Sequence, residues 1–189
     1  MAATFNWCED NGALTSGHGT TRSQNSTPPT DCSWKNVDDA RTGSGGTLYS
    51  ASPIVAGNNS FTKYQYGQFS GSYNEILNCK WSANTAINGV GSGTLATGLT
   101  LHGKVTSTYT TPATTTDSGI GSPTNFTTVV LITSGSAVLL GADPSSAASA
   151  TLAAGGGFTE YLATQLQTTT SAAAGDMLSV QATLQYNEN

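Results

Sequence analysis

The chain has 189 residues, with six Lys or Arg against eleven Asp or Glu, a formal net charge of −5. Charged residues are only 9% of the total while Gly numbers 22, a balance that argues against long helices with charged outer faces and for short strands joined by many turns. All six basic residues lie at or before Lys104 without clustering, so residues 1–104 sum to zero and residues 105–189 hold −5. This distribution predicts no direct contact with nucleic acid and no membrane-binding patch, since both need grouped Lys and Arg.

In chain order, residues 2–8 read as a first strand. The next segment, 9–46, carries Asn11-Gly12, Pro28-Pro29 and Gly43-Ser44-Gly45-Gly46 and reads as a long loop or arm. Trp7 and Trp34 suggest that this arm packs against something. Residues 47–55, 61–69 and 73–81 are rich in Tyr, Phe and β-branched side chains and predict three strands, with turns at Asn58-Asn59 and Ser70-Gly71. Residues 82–98 form a Gly/Asn/Thr loop.

Residues 99–109 alternate, with Leu99, Leu101, Val105 and Tyr109 on one side and Thr100, His102, Lys104 and Thr106 on the other. A second loop covers 110–125. Phe126 to Thr133 is apolar on both faces, as in a central strand. Residues 134–157 hold one short strand near Val138–Leu140, and Ala147–Ala154 suits one or two turns of helix. Phe158–Gln167 and Leu178–Tyr186 are the clearest strands. The second of these sets Leu178, Val180, Ala182, Leu184 and Tyr186 against an uncharged polar face.

About eight or nine strands imply an all-β fold, a β-sandwich of jelly-roll type with a long N-terminal arm. In this division residues 1–46 supply the first strand and the arm, and 47–189 the sandwich. No basic-plus-apolar leader precedes the first strand, and the longest apolar run, Val129-Val130-Leu131-Ile132, is too short to span a bilayer. The expectation is a soluble protein made in the cytosol, or a mature chain with its leader removed.

Chemical motifs are sparse. There is no G-x-S-x-G, HExxH or phosphate-binding loop. The two histidines, His18 and His102, read as surface residues, His102 on the polar side of its strand. Cys8, Cys32 and Cys79 lack zinc spacing. They read as buried thiols, with a Cys8–Cys32 bridge as the alternative. Asp31, Asp38 and Asp39 offer oxygens to Ca²⁺ but do not follow an EF-hand pattern, and turn capping explains them as well. Glu9 or Asp10 with Asp143, Glu160 or Asp176 would be needed for a glycosidase pair, and nothing in the spacing links them. The expectation is therefore no enzyme, no cofactor and no metal.

Tyr64, Tyr66, Phe69, Tyr73 and Trp81 crowd into one short stretch. Phe61, Lys63, Gln65, Gly67 and Phe69 share one strand face, while Tyr64 and Tyr66 occupy the other. Such a cluster suits core plus subunit interface, where aromatics are enriched. An exposed sugar-binding platform is the alternative. The predicted interface residues are Trp34, Tyr64, Tyr66, Phe69 and Tyr73.

Three stretches carry a resemblance. They are Cys32-Ser33-Trp34-Lys35-Asn36-Val37-Asp38-Asp39, then Ser52-Pro53-Ile54-Val55-Ala56-Gly57-Asn58-Asn59-Ser60-Phe61-Thr62-Lys63-Tyr64, and the ending from Glu160-Tyr161-Leu162 through Gln185-Tyr186-Asn187-Glu188. With these the chain resembles minor structural proteins of tailed bacteriophages, of the capsid decoration (cement) or tail type. The resemblance spans most of the chain and its motifs are structural. It implies an all-β subunit located on the virion, made in the host cytoplasm. Such a subunit would form a homo-oligomer, commonly a trimer, and contact the major capsid protein or other virion proteins without a catalytic site. A tail or fibre component that binds host-surface carbohydrate is the alternative within the same class.

Overall fold

The computed structural model describes residues 3–10, 34–38, 52–83, 98–112, 138–139, 142–143, 152–153, 157–173 and 182–189. All regular structure among them is β-strand. The strands are β1 (Ala3–Asp10), β2 (Lys63–Gly71), β3 (Glu75–Ala83), β4 (Leu99–Thr106), β5 (Val138–Leu139), β6 (Ala142–Asp143), β7 (Leu152–Ala153), β8 (Gly157–Thr159), β9 (Tyr161–Thr168) and β10 (Ala182–Glu188). Every pairing is antiparallel. One sheet runs β4-β9-β2-β8-β6 with β1 on the other side of β2, and a second runs β10-β3-β5 with β7 also on β3. The all-β expectation therefore holds for the described residues.

The centre of the first sheet is β2. Its residues alternate, yet Lys63 through Gly67 are all buried, and so is Phe69. Both of its edges are paired, one by β1 along its whole length, Ala3 with Gly71 through Asp10 with Tyr64, the other by β9 and β8; one face packs in the tyrosine core, and the other lies against residues 34–38 and Tyr186. Phe158–Gln167, expected as one strand, is divided at Glu160. Here Thr159 turns its hydroxyl to the Gly67 N–H at 2.9 Å and to the Glu160 carbonyl at 2.8 Å. That side-chain bond to backbone replaces a ladder bond and separates the two segments. A Cβ at Gly67 would lie 2.8 Å from Cε2 of Phe5, so a larger residue there would push that ring aside.

From β2 to β8, successive strands alternate between the two sheets. After β2 the chain turns at Gly71, with φ of 96°, and enters β3 of the second sheet. The register of β3 against β10 shifts between Gln185 and Asn187. Asn78 and Cys79 together face Tyr186, and Asn78 takes a left-handed φ of 52°. This is a β-bulge, with Asn in a conformation it tolerates better than most residues. The Tyr186 ring stands 4.9 Å from that of Phe69 and 6.2 Å from that of Phe5, so the two sheets touch there. Burying a side chain such as Phe69, 1% exposed, contributes about 1.5–3 kcal/mol relative to leaving it in water.

Three expectations need correction. The strand expected over 47–55 is absent from its described part. Ser52–Val55 is irregular and leads into a turn, because Pro53 has no N–H for a ladder and Gly57 adopts φ of 89°. Within the helical turn expected over 147–154, Leu152–Ala153 is a strand paired with Glu75 and Ile76. The short strand near Val138 is present, and Ala142–Asp143 adds another that sequence periodicity did not mark. The strand expected over 126–133 lies outside the described residues.

Candidate functional site

Polar chemistry concentrates where β1 ends and β2 begins. Glu9 and Asp10 are consecutive strand residues, so their side chains point to opposite faces of the sheet. Both are almost fully buried, at 2% and 1% exposed.

On one face Asp10 lies in a group of tyrosines. Its Oδ2 accepts a hydrogen bond from the Tyr161 hydroxyl at 2.5 Å, and its Oδ1 one from the Tyr66 hydroxyl at 3.3 Å. The rings stack edge to face: Tyr64 with Tyr161 at 5.6 Å, Tyr66 with Tyr161 at 5.4 Å and Tyr64 with Tyr109 at 4.8 Å. Phe158 closes on Tyr66 at 5.8 Å. Cys8, Ala163 and Tyr109 complete this core. Burial pushes the Tyr109 phenol above its ordinary value, and the negative charges of Asp38 and Asp10 push it further. Farther along the same face, His102 is half-buried opposite Gln165. Burial lowers its pKa. It is thus not the fully exposed residue its polar register suggested.

On the other face Glu9 meets Lys63, with Nζ and Oε1 3.7 Å apart and both side chains buried. Residues 34–38 pass over this end of the sheet as a strap. The Trp34 indole N–H donates to Thr164 Oγ1 at 3.1 Å, and Lys63 Nζ donates to the Val37 carbonyl at 3.4 Å. Phe61 N–H donates to the Lys35 carbonyl at 3.0 Å, and Asn36 N–H to the Ser52 carbonyl at 3.3 Å. Toward the far end this face becomes aromatic, with Trp7, Phe5, Phe69 and Tyr186 in sequence along it.

Of the predicted interface residues, Tyr64, Tyr66, Phe69 and Tyr73 are 1%, 0%, 1% and 4% exposed within the single chain. They serve its own core. Trp34 is half-buried and belongs to the strap. The structure brings together Tyr64, Tyr66 and Asp10, and it adds Tyr161 and Tyr109, which sequence reasoning did not single out. The one available signal was that Tyr64 and Tyr66 share a face. The partner strand lies about a hundred residues away.

A general acid or base must reach a substrate atom, and the contacts described for Glu9 and Asp10 are all to side chains of this chain. As Glu9 and Asp10 point to opposite faces, one partner could not serve both in a carboxylate pair. Glu160 is buried at 3%. Cys79 is a buried free thiol with its pKa pushed up to about 12 by burial. Among the described residues no three His, Cys, Asp or Glu side chains gather as a metal site, and no helix is long and apolar enough to cross a membrane. His18, Asp31, Cys32, Asp39 and Asp176 lie outside the described residues, as do the side chains of Asp143 and Trp81. Compared with known protein families, with curated proteins and with solved structures, the chain has no match.

Proposed function

We propose that this chain is a non-enzymatic structural subunit of a phage particle, a two-sheet β-sandwich of jelly-roll type that decorates the outside of the head as a homo-oligomer, most simply a trimer. It would hold the major capsid protein by many non-covalent contacts. The observation that carries this reading is where the three resembling stretches come together. Trp34-Lys35-Asn36-Val37 docks on Ser52, Phe61 and Lys63 of the second stretch and on Thr164 of the third. The residues that carry the resemblance therefore build a joint, and the acids beside that joint are engaged inside the protein. A subunit that binds only the intact shell stabilises it by mass action at every site, which requires rigidity and repeated contacts and no chemistry. Three-fold sites recur over an icosahedral shell, so a cyclic trimer fits without breaking symmetry. The carbohydrate-binding alternative drew on an exposed aromatic platform, and four of its rings are interior.

Binding of the purified protein to particles stripped of it, followed by cryo-EM and by the melting temperature of the shell, tests the proposal. Ordered density on the head and a raised melting temperature are expected. Absence of binding to the head, with binding to host glycans instead, would move the tail-adhesin reading ahead.

A further inference from the structure

The contact between Glu9 and Lys63 brings together an amine and a carboxyl as well as two charges. Glu9 stands opposite Gln65 on β2, and Lys63 lies two residues along the same face. The two side chains are therefore diagonal neighbours, with Cβ atoms within about 7–8 Å, a span that a lysine and a glutamate stem bridge together. Lys63 Nζ is 3.7 Å from Glu9 Oε1, with the side chains 1% and 2% exposed. A near-attack contact is about 3–3.5 Å, a short step for two side chains with rotatable stems. The Val37 carbonyl, 3.4 Å from Nζ, takes one of its hydrogens and holds the nitrogen in place. Asp10, the neighbouring acid, points to the other face, where two phenols hold it. One amine and one carboxyl are thus enclosed in contact, on strands that the ladder already keeps in register.

We propose that Lys63 and Glu9 condense to an amide that ties β1 to β2. A low dielectric disfavours buried ions, so the proton of the ammonium passes at times to the carboxylate and leaves a neutral amine beside a neutral acid. The lone pair of Nζ then adds to Cδ of Glu9. A C–N bond forms, the C–O bond to the acid hydroxyl breaks, and that hydroxyl leaves with a proton from nitrogen as water. The other carboxyl oxygen stays as the amide carbonyl, and no oxidant or co-reactant is consumed. Aligned groups held together in this way reach effective molarities of about 10⁵–10⁸ M, and a closed site keeps back the water that would hydrolyse the product. Both groups are neutral only part of the time, so condensation is slow beside folding. The freshly folded chain holds the ion pair and the aged chain the amide. Cys8 and Cys79 are free thiols, so the amide would brace the first strand where these cysteines do not. It closes a covalent loop that contains the strap, and it stands whether or not the virion reading does.

Intact mass of the wild type, freshly purified and after weeks just below its melting temperature, tests this. The aged chain should weigh about 18 Da less than its sequence requires, one water. Trypsin should no longer cleave after Lys63, and the digest should hold Met1–Arg22 joined to Thr42–Lys80, with fragments that place the link at Glu9 and Lys63. Lys63→Arg, which keeps the positive charge against Glu9 on a guanidinium that stays protonated, should keep its full mass through the same incubation. If that variant fails to fold, the mass and the linked peptide of the wild type decide alone. An aged wild type at its full sequence mass overturns the inference. So does a loss of about 17 Da, which is ammonia from a carboxamide such as Gln65. A loss of water that persists in Lys63→Arg assigns the dehydration elsewhere and also overturns it.

Discussion

Glu9 and Asp10 adjoin in sequence and are buried to the same degree, but the sheet between them gives each a different means of staying there. Asp10 is held by hydrogen bonds: two phenols donate to its two oxygens, and their rings also fill the core. Glu9 is held by charge, across 3.7 Å from Lys63 and beneath the strap. A carboxylate solvated by donors keeps its geometry from the groups around it. An ion pair depends on one partner. The difference teaches that the first face has polar and apolar parts built from the same side chains, whereas the second has an exchangeable pair.

The largest expected effect follows from that contrast. Glu9→Gln takes away the carboxylate 3.7 Å from the buried Lys63 ammonium, which costs about 3–5 kcal/mol when a buried pair loses one member. The double variant Glu9→Leu with Lys63→Met should recover most of this loss in urea unfolding, since well-packed apolar side chains replace buried pairs at little cost. A double variant as unstable as Glu9→Gln would show that the pair is more than exchangeable.

Next in size is the tyrosine face. Tyr161→Phe removes a donor to a buried carboxylate and should cost about 1.5–3 kcal/mol, the range for hydrogen bonds to charged groups. Tyr66→Phe, whose bond is the longer one at 3.3 Å, should cost less. Equal losses in chemical denaturation would mean that the two phenols share the charge evenly.

Smaller again is the strap. Trp34→Phe keeps most of the ring and loses the N–H bond to Thr164, for a cost of about 0.5–1.5 kcal/mol. Its diagnostic readout is proteolysis, which should quicken between residues 34 and 38. Unchanged cleavage there would mean that the backbone bonds of Lys35 and Asn36 hold the strap alone.

Much of this architecture was legible. Alternation located β2, β3, β4 and the β9 region to within a few residues, and it put Tyr64 and Tyr66 on one face and Lys63 and Gln65 on the other. What alternation could not supply was the partner across the strand. Asp10 reads as part of the loop after a strand over 2–8 until its register with Tyr64 extends β1 to include it. The pairing of β2 with β9 spans about a hundred residues, beyond any local pattern. Pro53 and Gly57 were visible as strand breakers, but the β-branched and apolar residues around them outweighed that signal. The aromatic cluster at 61–73 was read as core with interface, and all four rings are buried within the single chain, Tyr64 and Tyr66 in the tyrosine core and Phe69 against Tyr186.

The smallest effect concerns His102, on the tyrosine side of the sheet but toward its edge. Burial holds its pKa below the ordinary 6.5, so the folded chain resists the proton that the unfolded chain accepts. Unfolding then takes up protons as the pH falls through 6.5, and stability falls with it, reaching its full loss only once the folded side chain is protonated too. Above 6.5 the residue contributes no pH dependence. His102→Gln should flatten the stability profile between neutral pH and the region where carboxylates begin to protonate, about pH 4, and leave the profile above neutrality unchanged. Melting temperatures of wild type and His102→Gln at matched ionic strength give the comparison. Parallel curves from pH 7 to pH 5 would mean that His102 takes a proton as readily in the fold as outside it, and that the sheet edge is as wet as the polar register of β4 first suggested.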